Sequence, residues 1–76
     1  MVRKNTVRMR SFGVYIQGVQ LSRGNRYEVI LKNGTKISGE YMGFDKDSEC
    51  ISIMPGMLHV FIPTADIDAV HELGAV

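Results

Sequence analysis

The sequence predicts a mostly β fold: a short N-terminal helix followed by five antiparallel strands, strongly bent into a small open barrel. Three observations carry this expectation. From Tyr27 onward apolar and polar residues alternate in short runs, the period of half-buried strands. Asn33-Gly34, Pro55-Gly56 and Pro63 divide those runs with turn chemistry. Gly39 and Gly43 interrupt a strand pattern, where glycine marks a bulge or a sharp bend at a barrel corner.

Taken in order, residues 1–10 read as a loosely ordered basic leader. Residues 11–21 are apolar-rich but contain Gly13 and Gly18. Phe12, Val14 and Ile16 alternate as well as they cluster, so both a short helix and an extra strand are compatible, and the helix is favoured. Ser22-Arg23-Gly24-Asn25 is a connector. The chain thus divides into a basic N-terminal segment, 1–25, and a β domain, 26–76.

In the first strand Tyr27, Val29 and Leu31 share an apolar face, while Glu28, Ile30 and Lys32 face away. Asn33-Gly34 predicts a type I′ hairpin turn, which needs positive φ at both central positions. The second strand covers residues 36 to about 45. Its apolar face switches between Tyr41 and Met42, and the two glycines flank the switch. Residues 50–54 form the third strand and 57–62 the fourth, ended by Pro63, which cannot donate to a ladder. Ala65-Asp66 leads into a fifth strand over 67–72.

With 76 residues the chain makes one domain. A chain this short buries only about 60% of its unfolded surface, so outside help such as oligomerisation is expected. Cys50 is the single cysteine, which excludes an internal disulfide and reads as a small buried side chain. His59 and His71 stand apart without metal-ligand spacing, so no cofactor and no metal are expected. No apolar run approaches the roughly 18 residues of a membrane span, and no signal-peptide signature is present. A soluble cytoplasmic protein without a membrane partner is the expectation. Charge is unevenly placed. Arg3, Lys4, Arg8, Arg10, Arg23 and Arg26 precede Tyr27 without any acid, whereas three lysines face all eight acids beyond it. Such asymmetry suits a basic arm for nucleic acid as well as a solvated leader.

Residues 26 to 72 carry a more specific pattern: Val29-x-Leu31-x-Asn33-Gly34-x-x-Ile37-x-Gly39-x-Tyr41-x-Gly43-Phe44-Asp45, then Val60-Phe61-Ile62-Pro63-Thr64-Ala65-Asp66-Ile67-Asp68-Ala69-Val70. This resembles the two motifs of the Sm-like proteins, the group that includes the Sm and LSm proteins and bacterial Hfq. The resemblance implies an N-terminal helix, a five-stranded bent sheet, and pairing of one protomer's fourth strand with the next protomer's fifth. The result would be a ring of roughly five to seven copies. Val60, Phe61, Ile62, Ile67 and Val70 would contribute to that seam.

The resemblance also implies binding of single-stranded RNA. In the family, the loop after the bent strand supplies a stacking aromatic or His two residues past the Asp and an Asn two further on, and the second motif supplies an Arg. Stacking on such a platform contributes about 1–3 kcal/mol per base, and edge hydrogen bonds add base preference. Here the corresponding loop is Phe44-Asp45-Lys46-Asp47-Ser48-Glu49, and Pro63-Thr64 replaces the Arg-Gly pair. Asp47 and Glu49 stand where base-binding residues are expected, and Asp45 alone keeps the family pattern. Carboxylates repeated around a ring repel phosphates. RNA contacts are therefore also expected from the basic segment, Arg3, Lys4, Arg8, Arg10, Arg23 and Arg26, with Phe12 and Tyr15 nearby. A basic protein is a second candidate partner for the acidic loop, and a structural ring without RNA is the alternative function.

Enzyme readings are weak. Ser48, Asp45 and His59 follow no recognisable nucleophile–base order, Gly39 and Gly43 precede no phosphate-cradling helix, and acids at 45, 47 and 49 read as surface charge rather than a Mg²⁺ site.

Overall fold

The computed structural model describes the backbone of residues 7–10 and 13 and all of residues 14–76. Among the described residues eight strands run in order: β1 (Val7–Arg10), β2 (Gly13–Ile16), β3 (Val19–Leu21), β4 (Asn25–Leu31), β5 (Lys36–Asp45), β6 (Cys50–Met54), β7 (Val60–Pro63) and β8 (Ile67–Ala75). A 3-10 turn, Thr64–Asp66, joins β7 to β8. The first three strands form one antiparallel sheet in the order β1-β2-β3. The other five form a second, ordered β7-β6-β5-β4-β8.

The mostly β class and the five-stranded antiparallel sheet agree with the sequence. The N-terminal helix does not. Gly13–Ile16 and Val19–Leu21 are strands joined by Gln17-Gly18, both with positive φ (53° and 80°). Ile16 pairs with Val19 across this two-residue turn, the backbone of a type I′ hairpin. β-branched Val14, Ile16 and Val19 favour the pleated surface, and alternation places Val14 and Ile16 in the core with Tyr15 between them. Residues 7–10, expected to be loose, pair with β2, Val7 opposite Ile16 and Arg10 opposite Gly13. The expectations for Arg3, Lys4 and Phe12 lie outside the described residues.

The second hairpin also differs in detail. Gly34 has φ +91°, whereas Asn33 is not left-handed. The Gly34 amide donates to the Leu31 carbonyl (2.9 Å) and the Leu31 amide to the Thr35 carbonyl (2.8 Å). This is a three-residue loop with glycine in the bulge position rather than a type I′ turn. The Asn33 side chain accepts from the Thr35 amide at 2.9 Å and stiffens it.

Strand β5 explains the two glycines. A Cβ on Gly39 would lie 2.6 Å from the carbonyl carbon and oxygen of Met54 and from the Pro55 nitrogen, so β6 approaches too closely for any side chain. Further along, Tyr41 pairs with Ile53 but Gly43 with Ser52, leaving Met42 as an extra residue in a bulge. The bulge restores Phe44 to the core side, where it packs against the buried cluster. The apparent switch of apolar face in the sequence is this single inserted residue.

One core unites both sheets: Val14, Ile16 and Leu21 from the N-terminal hairpin join Tyr27, Val29, Tyr41, Ile51, Ile53, Ile62, Ile67 and Val70. Tyr27, fully buried, meets Tyr41 edge to face at 6.2 Å and 88°. Its hydroxyl donates to the Gln20 carbonyl (3.1 Å) and accepts from the Ser22 amide (2.8 Å), tying the connector to the five-stranded sheet. The Gln17 side-chain amide donates to the Ile67 carbonyl at 3.3 Å. The fourth strand begins three residues later than expected, at Val60, while β8 extends to Ala75. Among the described residues no helix is long and apolar enough to cross a membrane.

Candidate nucleic-acid interface

The loop after β5 is built by Asp45. Its carboxylate accepts the Asp47 amide (3.2 Å) and the Ser48 hydroxyl (2.7 Å). These bonds, the Ser48 one foremost, hold the exposed Asp45 carboxyl below its ordinary pKa. Glu49 closes the loop with φ 55°, an uncommon conformation for a residue with a Cβ. The Glu49 carbonyl then accepts the amide of buried Thr64 at 2.9 Å, and Cys50 pairs with Pro63. The structure therefore brings together the two sequence-distant halves of the expected pocket, residues 44–49 and 63–64. Within it Asp45, Lys46, Asp47, Glu49 and Pro63 are exposed, while Phe44 is half-buried. The chemistry this displays to solvent is three carboxylates and one ammonium. Among the described residues no group of three or more His, Cys, Asp or Glu is placed to hold a metal ion.

The basic residues are divided. Arg8 and Arg10 fall on β1, opposite Tyr15 and Gly13. Arg23, in the turn before β4, and Arg26, near its start, are exposed. The Arg23 guanidinium lies over Gly43: a Cβ there would meet it at 3.2 Å, and φ at Gly43 is +153°. Burial pushes the nearby Tyr41 hydroxyl pKa up, and the Arg23 charge partly offsets this.

The seam residues are divided as well. Ile62, Ile67 and Val70 are buried within the protomer, Val60 is half-buried, and Phe61 is exposed. Among the described residues the exposed large apolar side chains are Met57, Leu58, Phe61, Leu73 and Val76. All lie on the edge strands β7 and β8 or immediately beside them. Leu73 is the extra residue of a bulge, since Arg26 pairs with Gly74 and Tyr27 with Glu72.

Sequence reasoning misses one constellation. Ser52, paired with Phe61 across β6 and β7, shares a hydrogen bond of 3.1 Å between its Oγ and His59 Nδ1. The His59 ring lies beside the Phe61 ring, centroids 6.2 Å apart and planes tilted by 35°. The signal was available only through register: Ile51 and Ile53 face the core, so Ser52 must face out with its cross-strand partner. No protein-family model, curated protein or solved structure matches the chain.

Proposed function

We propose that the chain is an Sm-like subunit that closes head-to-tail into a ring and binds single-stranded RNA, with contacts displaced from the usual loop pocket toward basic residues. The observation that carries this reading is the strand order. The fourth and fifth strands of the 26–72 stretch, β7 and β8, are the two open edges of the sheet. Unpaired edges are association sites, and joining one protomer's β7 to the next one's β8 is the closure an Sm-like ring uses. Of the exposed apolar side chains at those edges, Met57 and Leu58 before β7 and Leu73 and Val76 at β8 favour the same closure. Phe44-Asp45 retains the motif position, and Asp45 holds the loop as the resemblance implies.

The exposed acids at 45, 47 and 49 favour a second reading, a ring whose partner is a basic protein. Native mass spectrometry and filter binding on one sample separate the possibilities. A ring well above the 8.5 kDa protomer that retains oligo-U, oligo-A or mixed RNA at low salt supports the proposal. A folded monomer refutes the assembly, and a ring that retains no RNA leaves the protein-binding reading.

A further inference from the structure

We infer that the outer face of the sheet carries a base-stacking track for single-stranded RNA, running from Arg23 across Gly43 and Ser52 to the His59–Phe61 ring pair. This rests on the RNA-binding reading and specifies where on the molecule the strand lies. Gly43, Ser52 and Phe61 form one continuous cross-strand row over β5, β6 and β7. Two strand spacings make that row about 10 Å long, a span that a short single-stranded stretch covers. At one end the exposed Arg23 guanidinium lies over Gly43, whose missing side chain leaves it room. A guanidinium in that place is a phosphate ligand. At the other end Phe61 is 66% exposed, an unusual position for phenylalanine on a strand, and His59 is exposed beside it. Two neighbouring rings on an open sheet face give bases a π-surface. The Ser52 bond fixes the His59 ring in place before any ligand arrives, which lowers the ordering cost of binding.

Charge on the same face sets the direction. Glu40, opposite Met54, and Asp45, opposite Cys50, lie in the rows on either side. Their repulsion of phosphate confines a strand to the row between them, and Arg26, opposite Glu40, adds a cation at the Arg23 end. Edge pairing in a ring engages the main chain of β7 and leaves its outward side chains projecting from the sheet, so the seam and the track are compatible.

The test uses the intact protein with a short oligonucleotide containing 5-iodouridine. Photocrosslinks are localised by fragmentation mass spectrometry, and affinity is measured by fluorescence anisotropy over a salt series. Crosslinks at Phe61 or His59 are expected. Phe61→Ala should weaken binding about tenfold, and Arg23→Gln should weaken it severalfold and reduce the salt slope by about one. Because Phe61 and His59 both belong to the β7 edge, Arg23→Gln, in the connector before the interior strand β4, provides a variant independent of that edge. Crosslinks confined to residues 3–10 or 44–49, with Arg23→Gln and His59→Ala binding as the parent does, would overturn the track and leave RNA binding intact. Absence of any binding at low salt would overturn both.

Discussion

Gly39→Ala is the sharpest test of how closely β5 and β6 approach each other. The added methyl would meet three backbone atoms of Met54 and Pro55 at 2.6 Å, well inside contact distance. Backbone cannot rotate away as a side chain can, so β5 and β6 must separate where Glu40 pairs with Met54. Overpacking of this kind costs about 1–3 kcal/mol, and a clash with main chain on a buried strand belongs at the upper end. For a domain of this size about 3 kcal/mol lowers Tm by roughly 12–24 °C. The control is Gly56→Ala, where a Cβ meets nothing within 4 Å. It should stay within about 0.5 kcal/mol of the parent. Thermal and urea unfolding followed by circular dichroism, at equal protomer concentration, measure both. If Gly39→Ala unfolds within 2 °C or so of the parent, or if Gly56→Ala is equally damaging, the close approach of the two strands is not what requires glycine.

Other expectations follow from the same geometry. Tyr27→Phe removes the hydroxyl that bonds Gln20 and Ser22 and should cost about 1–2 kcal/mol in urea unfolding; an unchanged midpoint would mean the connector is held by other contacts. Ser48→Ala should raise the Asp45 pKa toward its ordinary value of 3.8, read by NMR titration of the side-chain carboxyl. Asp45 is held low in the folded protein, so its bonds contribute to loop stability above the ordinary carboxylate pKa, and that contribution fades as pH falls through the lowered folded value. Leu73→Glu places a charge at the β8 edge and should shift the light-scattering mass toward the protomer; a ring of undiminished mass would exclude Leu73 from the seam.

Much of the β domain was legible because its signals are local. The spans of β5 and β6 follow from alternation bounded by turn residues, and the glycines announced a bulge or bend before its register was known. The N-terminal region was not legible for a physical reason. Val14 and Ile16 suit either a helix or a strand over so short a run, and the decision was made by Gln17-Gly18 adopting a left-handed turn and by the core that the five-stranded sheet offers to Ile16 and Leu21. Only tertiary packing supplies that information. The candidate site divides in the same way. Asp45 and its loop could be read from the motif, because they are contiguous. Ser52, His59 and Phe61 become a group only through strand register, and Arg23 joins them only because residue 43 has no side chain.

The bulge at Met42 gives β5 a parity. Tyr41 and Phe44 share the core face although two residues separate them, because Met42 drops out of the alternation. Removing Met42 alone would leave Tyr41, Gly43 and Phe44 in plain alternation, with Phe44 still toward the core and Asp45 still outward to organise its loop. Removing Gly43 as well would place Phe44 directly after Tyr41 and turn it to solvent. For lineages of this chain, loss of the single bulge residue is therefore the change in the length of β5 that is tolerated, and loss of a second is penalised.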